Sequence, residues 1–137
     1  MRLPEGYLGI AHKNSSAFAV SAALEWAHSV LYSGTTLYEW ASQNFTRQAQ
    51  AGRGSAFIFP AQGRAENATH WVARHYRRGG IIASYLDDRY LVTRTPRPFS
   101  ELLASVEARS RGIPTPRIIA GAVCRSGFFY RADLVTE

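Results

Sequence analysis

The sequence predicts an α+β fold: a small antiparallel sheet with one helix inserted between its strands, preceded by a short helical cap. Three observations carry this expectation. Up to residue 46 the apolar residues recur at helical spacing, and from Arg47 onward the chain breaks into short β-prone runs separated by Gly-containing turns. One further helical stripe, opening at Pro98, interrupts the second part. Alternating strand and helix units would instead indicate a parallel sheet. The chain therefore divides into a helical extension, residues 1–46, and a sheet-bearing unit, residues 47–137.

In the first part, Ser15 and Ser16 are candidate caps for a helix whose Val20, Leu24, Ala27 and Leu31 share one face, and Gly34 ends it. Thr36 and Glu39 have capping-box spacing, so a second helix is expected from Leu37 to about Asn44, with Leu37, Trp40 and Ala41 turned inward. In the second part, strands are expected at 55–60 and 69–76. Trp71 and Ala73 take one face of the latter, and Val72 and Arg74 the other. An extended stretch at 81–93 is interrupted at Asp87 and Asp88. The helix from Pro98 carries Phe99, Leu102, Leu103 and Val106 as its apolar stripe, and Gly112, Pro114 and Pro116 prevent its continuation. A final hairpin joins 117–124 to 128–133 around Arg125, Ser126 and Gly127.

Composition narrows the function classes. With 137 residues, 46% hydrophobic and 19% charged, the chain has the make-up of one globular core rather than a disordered tail or a fibre. The net charge of +6 is unevenly placed, since residues 1–46 hold two basic and three acidic groups and the remainder holds fourteen and seven. All the basic residues but Lys13 are arginines, whose forked donors suit phosphates and carboxylates; a solvated arginine-rich surface is the plain alternative. Cys124 is the single cysteine, which excludes an intrachain disulfide and a thiolate zinc cluster, and fits a reducing compartment. The apolar stretch 17–24 is too short to cross a bilayer and reads as a core helix rather than a signal peptide.

From Arg47 the order strand, strand, connector, helix, strand, strand is that of the small lobe of protein kinases. Gly52, Arg53 and Gly54 precede the first secure strand, where small residues let backbone amides approach phosphate oxygens; taken alone they equally describe a hairpin turn. Trp71-Val72-Ala73-Arg74 stands where a kinase strand ends in its phosphate-pairing lysine, with arginine in that place. A strand-end arginine reaching solvent is the alternative. Glu101, in the first turn of the next helix, is the carboxylate expected to meet Arg74, or else a helix N-terminal acid stabilised by the macrodipole.

The run Arg74-His75-Tyr76-Arg77-Arg78-Gly79-Gly80 is followed by Asp88-Arg89-Tyr90-Leu91, Arg97-x-Phe99-x-Glu101, Arg111-Gly112-Ile113-Pro114-x-Pro116 and Tyr130-Arg131-Ala132-Asp133-Leu134. In order and spacing these motifs resemble the bacterial lipopolysaccharide kinase family, and within it the kinases of 3-deoxy-D-manno-octulosonic acid (Kdo), over roughly residues 47–137. The resemblance implies a protein-kinase-like fold and ATP-dependent phosphorylation of a Kdo hydroxyl in the lipopolysaccharide inner core, with ATP and Mg2+ as cofactors. It further implies a Kdo–lipid A type glycolipid as acceptor, peripheral contact with the cytoplasmic face of a Gram-negative inner membrane, and no nucleic-acid partner. By position, Gly52, Arg53 and Gly54 would cover the phosphates, Arg74 would pair with them, and Glu101 would orient Arg74. Asp133 and Leu134 would open the hinge that receives adenine through backbone groups. Arg77 and Arg78 would meet the anionic glycolipid, or form a solvated loop.

The catalytic aspartate and the Mg2+ ligands of this fold belong to a large lobe expected after Glu137. No catalytic residue or metal ligand is therefore assigned within the chain, and on its own it is expected to be inactive. Two other classes stand beside this reading. Basic charge interleaved with Tyr76, Tyr85 and Tyr90 suits a nucleic-acid-binding module, and a remnant lobe could serve as a non-catalytic interaction partner. Saturable ATP binding separates the kinase reading from both.

Overall fold

The computed structural model describes residues 2–51, 54–63, 69–76, 90–91 and 95–137. It opens with a hairpin, β1 (Tyr7–His12) and β2 (Ser15–Val20), followed by helices α1 (Ser21–Tyr32) and α2 (Leu37–Asn44). Strands β3 (Arg47–Ala51), β4 (Gly54–Pro60), β5 (His70–His75) and β6 (Tyr90–Leu91) lead to helix α3 (Arg97–Ser110), and β7 (Ile118–Ser126) and β8 (Phe129–Thr136) complete the chain. The strands form one antiparallel sheet in the order β1-β2-β7-β8-β5-β4-β3. Because β5 pairs only with residues 133–136 of β8, the start of β8 is left for β6, through Tyr90↔Tyr130 and Leu91↔Phe129. The architecture is α+β and consistent with a kinase-like N-terminal lobe.

Three local expectations need correction. Ser15 and Ser16 do not cap a helix; they begin β2, and α1 starts at Ser21 after an N-cap, Val20, that makes no side-chain bond. The reason is burial on both faces. Phe18 packs beneath α3 while Ala17 and Ala19 pack beneath α1, so β2 reads as a continuous apolar run without two-residue alternation. The buried stripe of α1 accordingly centres on Ala23, Trp26, Ala27, Val30 and Leu31. Leu103 of α3 is exposed, because it stands about 100° around the helix from Leu102, and Phe99, Leu102 and Val106 suffice to cover the sheet. The last strand does not stop at Asp133 but runs to Thr136, where Leu134 and Val135 are buried on opposite faces.

Other elements match their local codes. The Thr36 hydroxyl accepts the Glu39 amide at 3.1 Å, as a capping residue should. Pro98 sits in the first turn of α3, where its missing N–H is harmless. Gly112 takes φ 77, and the Ile113 amide returns to the Ala108 carbonyl at 3.0 Å, closing the helix C-terminus.

Helices cover both faces of the sheet. On one, α1 and α2 pack Trp26 and Trp40 onto Phe59 and Trp71, with ring centroids 5.2–5.6 Å apart for the contacts that Trp26 and Trp40 make there. On the other, α3 lays Leu102 onto Phe18, Ile118 and Leu134. Gly121 of β7 is required at this second layer, since a Cβ there would stand 2.5 Å from the Phe18 ring. The register also fixes which strand ends coincide. The end of β1, the start of β2, the β7–β8 turn, the end of β5 and the start of β4 at Gly54 all lie at one end of the sheet.

Candidate functional site

Two-residue alternation along β5 sends Trp71, Ala73 and His75 toward α1 and α2, and Val72, Arg74 and Tyr76 toward α3. Opposite them, α3 brings in Arg97, its first residue, and Glu101, which stands one turn further along and not in the first turn as the sequence suggests. Arg74 Nη2 donates to Glu101 Oε1 at 3.4 Å, across 27 residues of sequence. The Tyr76 hydroxyl donates to Glu101 Oε2, and the Arg97 guanidinium stands 5.7 Å from the centre of the Tyr76 ring. The two oxygens of Glu101 thus receive two different donors, which fixes the plane of the carboxylate and with it the guanidinium of Arg74.

A recess of about 350 Å3 lies beside this pair, between α3, the start of β7 and the end of β8. Ala104, Ala108, Ile118, Leu134 and Thr136 contribute to its wall. Arg74 and Glu101 keep 43% and 41% of their side-chain surface exposed, so the pair stands at the mouth of the recess rather than in the core. A guanidinium so placed, with one edge held and the rest open, is suited to grip an anion such as a phosphate.

The other sequence-derived candidates fall in different places. Gly54 opens β4, while Gly52, Arg53, Arg77, Arg78, Asp87 and Asp88 lie outside the described residues. Asp133 and Leu134 are inside β8, paired to His75 and Arg74 on one edge and to Ala122 and Gly121 on the other. Their backbone groups are therefore committed to neighbouring strands rather than presented to an adenine. Leu134 still lines the recess through its side chain, but Asp133 points to the opposite face.

There, Asp133 is 3% exposed, and its carboxylate receives His75 Nδ1 at 2.5 Å and the Tyr38 amide at 3.0 Å. Tyr38 belongs to the first turn of α2, so a buried carboxylate of β8 satisfies a backbone amide at the N-terminus of the helix packed on its own face of the sheet. A recess of about 530 Å3 opens beside it, lined by Thr36, Glu39, Cys124 and Arg131 among others. Though larger, it holds no part of the Arg74–Glu101 arrangement; His75 and Asp133 line it, and their contacts tie β5 and β8 to α2.

Tyr76 is the site residue that sequence reasoning missed as a partner of Glu101. The available signal was its place two residues after Arg74, on the same side of an extended chain.

Comparison with known proteins gives the following. The family described as Lipopolysaccharide kinase (Kdo/WaaP) matches residues 38–137. The 3-deoxy-D-manno-octulosonic acid kinase of Vibrio parahaemolyticus is 33% identical over 103 residues, covering 72% of this chain and 40% of the relative. Proteins of the same name from Xanthomonas campestris and Stenotrophomonas maltophilia are 38% identical over 91 residues and 37% over 90, each covering 64% of this chain and 34% of the relative. No solved structure matches. The chain thus spans about 34–40% of the length of these relatives.

Proposed function

Because the chain belongs to the lipopolysaccharide kinase (Kdo/WaaP) family, we propose that it forms the nucleotide-holding lobe of a kinase that moves the γ-phosphoryl group of ATP to a hydroxyl of a Kdo sugar in the lipopolysaccharide inner core. One observation carries this reading beyond the family: Arg74 and Glu101, far apart in sequence, meet at the mouth of a recess with Tyr76 fixing the carboxylate. Arg74 grips the α- and β-phosphates, Glu101 and Tyr76 hold it in place, and the turn at Gly52, Arg53 and Gly54 covers the phosphates. Arg77 and Arg78 meet the anionic acceptor, a Kdo–lipid A type glycolipid reached at the cytoplasmic face of the inner membrane.

In the transfer, the acceptor oxygen bonds to the γ-phosphorus as the bond to the β-phosphate oxygen breaks. ADP leaves, and the hydroxyl proton passes to a carboxylate. This reading places that carboxylate in a large lobe, outside these 137 residues. Magnesium, which neutralises phosphate charge in such transfers, needs several oxygen ligands. Among the described residues lining the recess the single carboxylate is Glu101, whose oxygens already receive Arg74 and Tyr76, so these residues do not fit an Mg2+ cage. In this reading the residues at the recess hold the nucleotide, and the transfer step belongs to the large lobe.

Titration of the polypeptide with ATP, followed by calorimetry, tests the proposal. Saturable binding that weakens about tenfold or more in Arg74→Ala is expected, the worth of a charge-assisted hydrogen bond to phosphate. Absence of saturable binding, or salt-sensitive nucleic-acid binding in its place, would refute it.

A further inference from the structure

Phe128 is 82% exposed at the tip of the β7–β8 turn, the most open of the exposed large apolar side chains among the described residues. Its surroundings are basic. The Arg125 amide donates to the Asn14 carbonyl at 3.0 Å, which ties the β7–β8 turn to the β1–β2 turn, where Lys13 holds a left-handed backbone at φ 51. Residues 12–15 and 125–128 together contain the two permanent cations Lys13 and Arg125 and no carboxylate. A lone aromatic ring held in water costs free energy, and among the described residues Phe128 joins none of the buried clusters.

We propose that these joined turns form a lipid-contact tip, which seats Phe128 in the headgroup boundary of a bilayer while Lys13 and Arg125 meet anionic lipid phosphates. An exposed ring flanked by two cations has the chemistry of an interfacial anchor. The tip also lies at the end of the sheet where Gly54 opens β4 and where β5 ends just beyond Arg74. A bilayer contacted there would present its lipid-borne sugars to the phosphate end of the site. In this respect the inference rests on the proposed function, although the surface itself is read without any reference to nucleotide. Among the described residues no helix is long and apolar enough to cross a membrane.

Co-sedimentation of the 137-residue chain with vesicles of phosphatidylcholine, with and without phosphatidylglycerol, tests the tip. Binding is expected only to the phosphatidylglycerol vesicles. It should fall about five-fold for each of Lys13→Ser and Arg125→Ser, the worth of one basic residue at an anionic surface. Phe128→Ser should produce at least a comparable loss, and its melting temperature should stay unchanged because the ring is already in solvent. Arg111→Ser removes an equal charge at the far end of α3 and should leave binding intact.

Three results would overturn the assignment: no affinity for phosphatidylglycerol vesicles, equal losses at Arg111 and at the tip, or Phe128→Ser without effect. ATP titration of the same variants keeps the two proposals separate. A chain that binds ATP but not vesicles loses the tip alone, and one that binds vesicles through the tip but not ATP loses the nucleotide reading alone.

Discussion

Replacing Glu101 with alanine separates a structural role from a nucleotide-orienting one. The carboxylate contacts Arg74 at 3.4 Å, and both side chains are about two-fifths exposed, at 43% and 41%. Exposed ion pairs contribute about 0.2–1 kcal/mol to stability and the Tyr76 hydrogen bond about 0.5–1.5 kcal/mol, so the folded state should lose roughly 1–2 kcal/mol. For a chain of this size each kcal/mol corresponds to a drop of about 3–6 °C in Tm. Its effect on ATP should be larger. Without Glu101 the guanidinium of Arg74 is no longer held at one edge, and a misplaced charged hydrogen bond to phosphate costs about 1.5–3 kcal/mol, or roughly ten- to a hundredfold in Kd. Calorimetric ATP titration and thermal melts of wild type, Glu101→Ala, Arg74→Ala and the double variant form a complete cycle. If Glu101 acts through Arg74, the double variant binds ATP no more weakly than Arg74→Ala. Unchanged ATP affinity in Glu101→Ala, or additive losses in the double variant, would refute the orienting role.

Further outcomes follow from residues away from this pair. Asp133→Asn should destabilise the fold by about 1–3 kcal/mol in chemical denaturation, because the buried carboxylate is the joint acceptor for His75 and the α2 terminus. Gly121→Ala should cost about 1–3 kcal/mol in the same assay, since the new methyl collides with Phe18 and approaches Pro98 at 3.2 Å. Tyr7 donates to the Ile118 carbonyl at 2.6 Å, and burial pushes its hydroxyl pKa above the ordinary 10.0 against the pull of Arg117 and Arg109. The unfolded chain therefore releases this proton at lower pH than the folded one. The stability it confers is complete below pH 10.0 and is lost as pH rises further. Melts across that range should show a shallower alkaline decline in Tyr7→Phe than in wild type.

The sequence was informative where a code is local. Thr36 and Glu39 encode the start of α2 within four residues, Pro98 marks the opening of α3, and the alternation Trp71, Val72, Ala73, Arg74 assigns the faces of β5 without reference to any partner. The element order shared with kinase small lobes, rather than a local code, is what names Arg74 and Glu101 as a pair. Legibility failed where burial is two-sided or partners are distant. The run 17–20 carries no alternation because helices cover both faces, so helical spacing continued across it unopposed. Asp133 reads in sequence as the end of the last strand and the opening of a hinge, and its partners, Tyr38 and His75, 95 and 58 residues away, leave no local signal. No local pattern encodes which strand of a sheet will take up a backbone carbonyl.

The aromatic layer beneath α1 and α2 has a practical consequence. Trp26, Trp40 and Trp71 are all the tryptophans of the chain, and all three lie on the face turned away from Arg74. The indole nitrogens of Trp26 and Trp71 are enclosed without a hydrogen-bonding partner, so native emission should sit toward the blue and shift to the red on unfolding. Intrinsic fluorescence of this protein is then a reporter on the seating of its first 44 residues and nearly blind to events in the recess, which makes a spectroscopic handle near Glu101 something to be introduced rather than found.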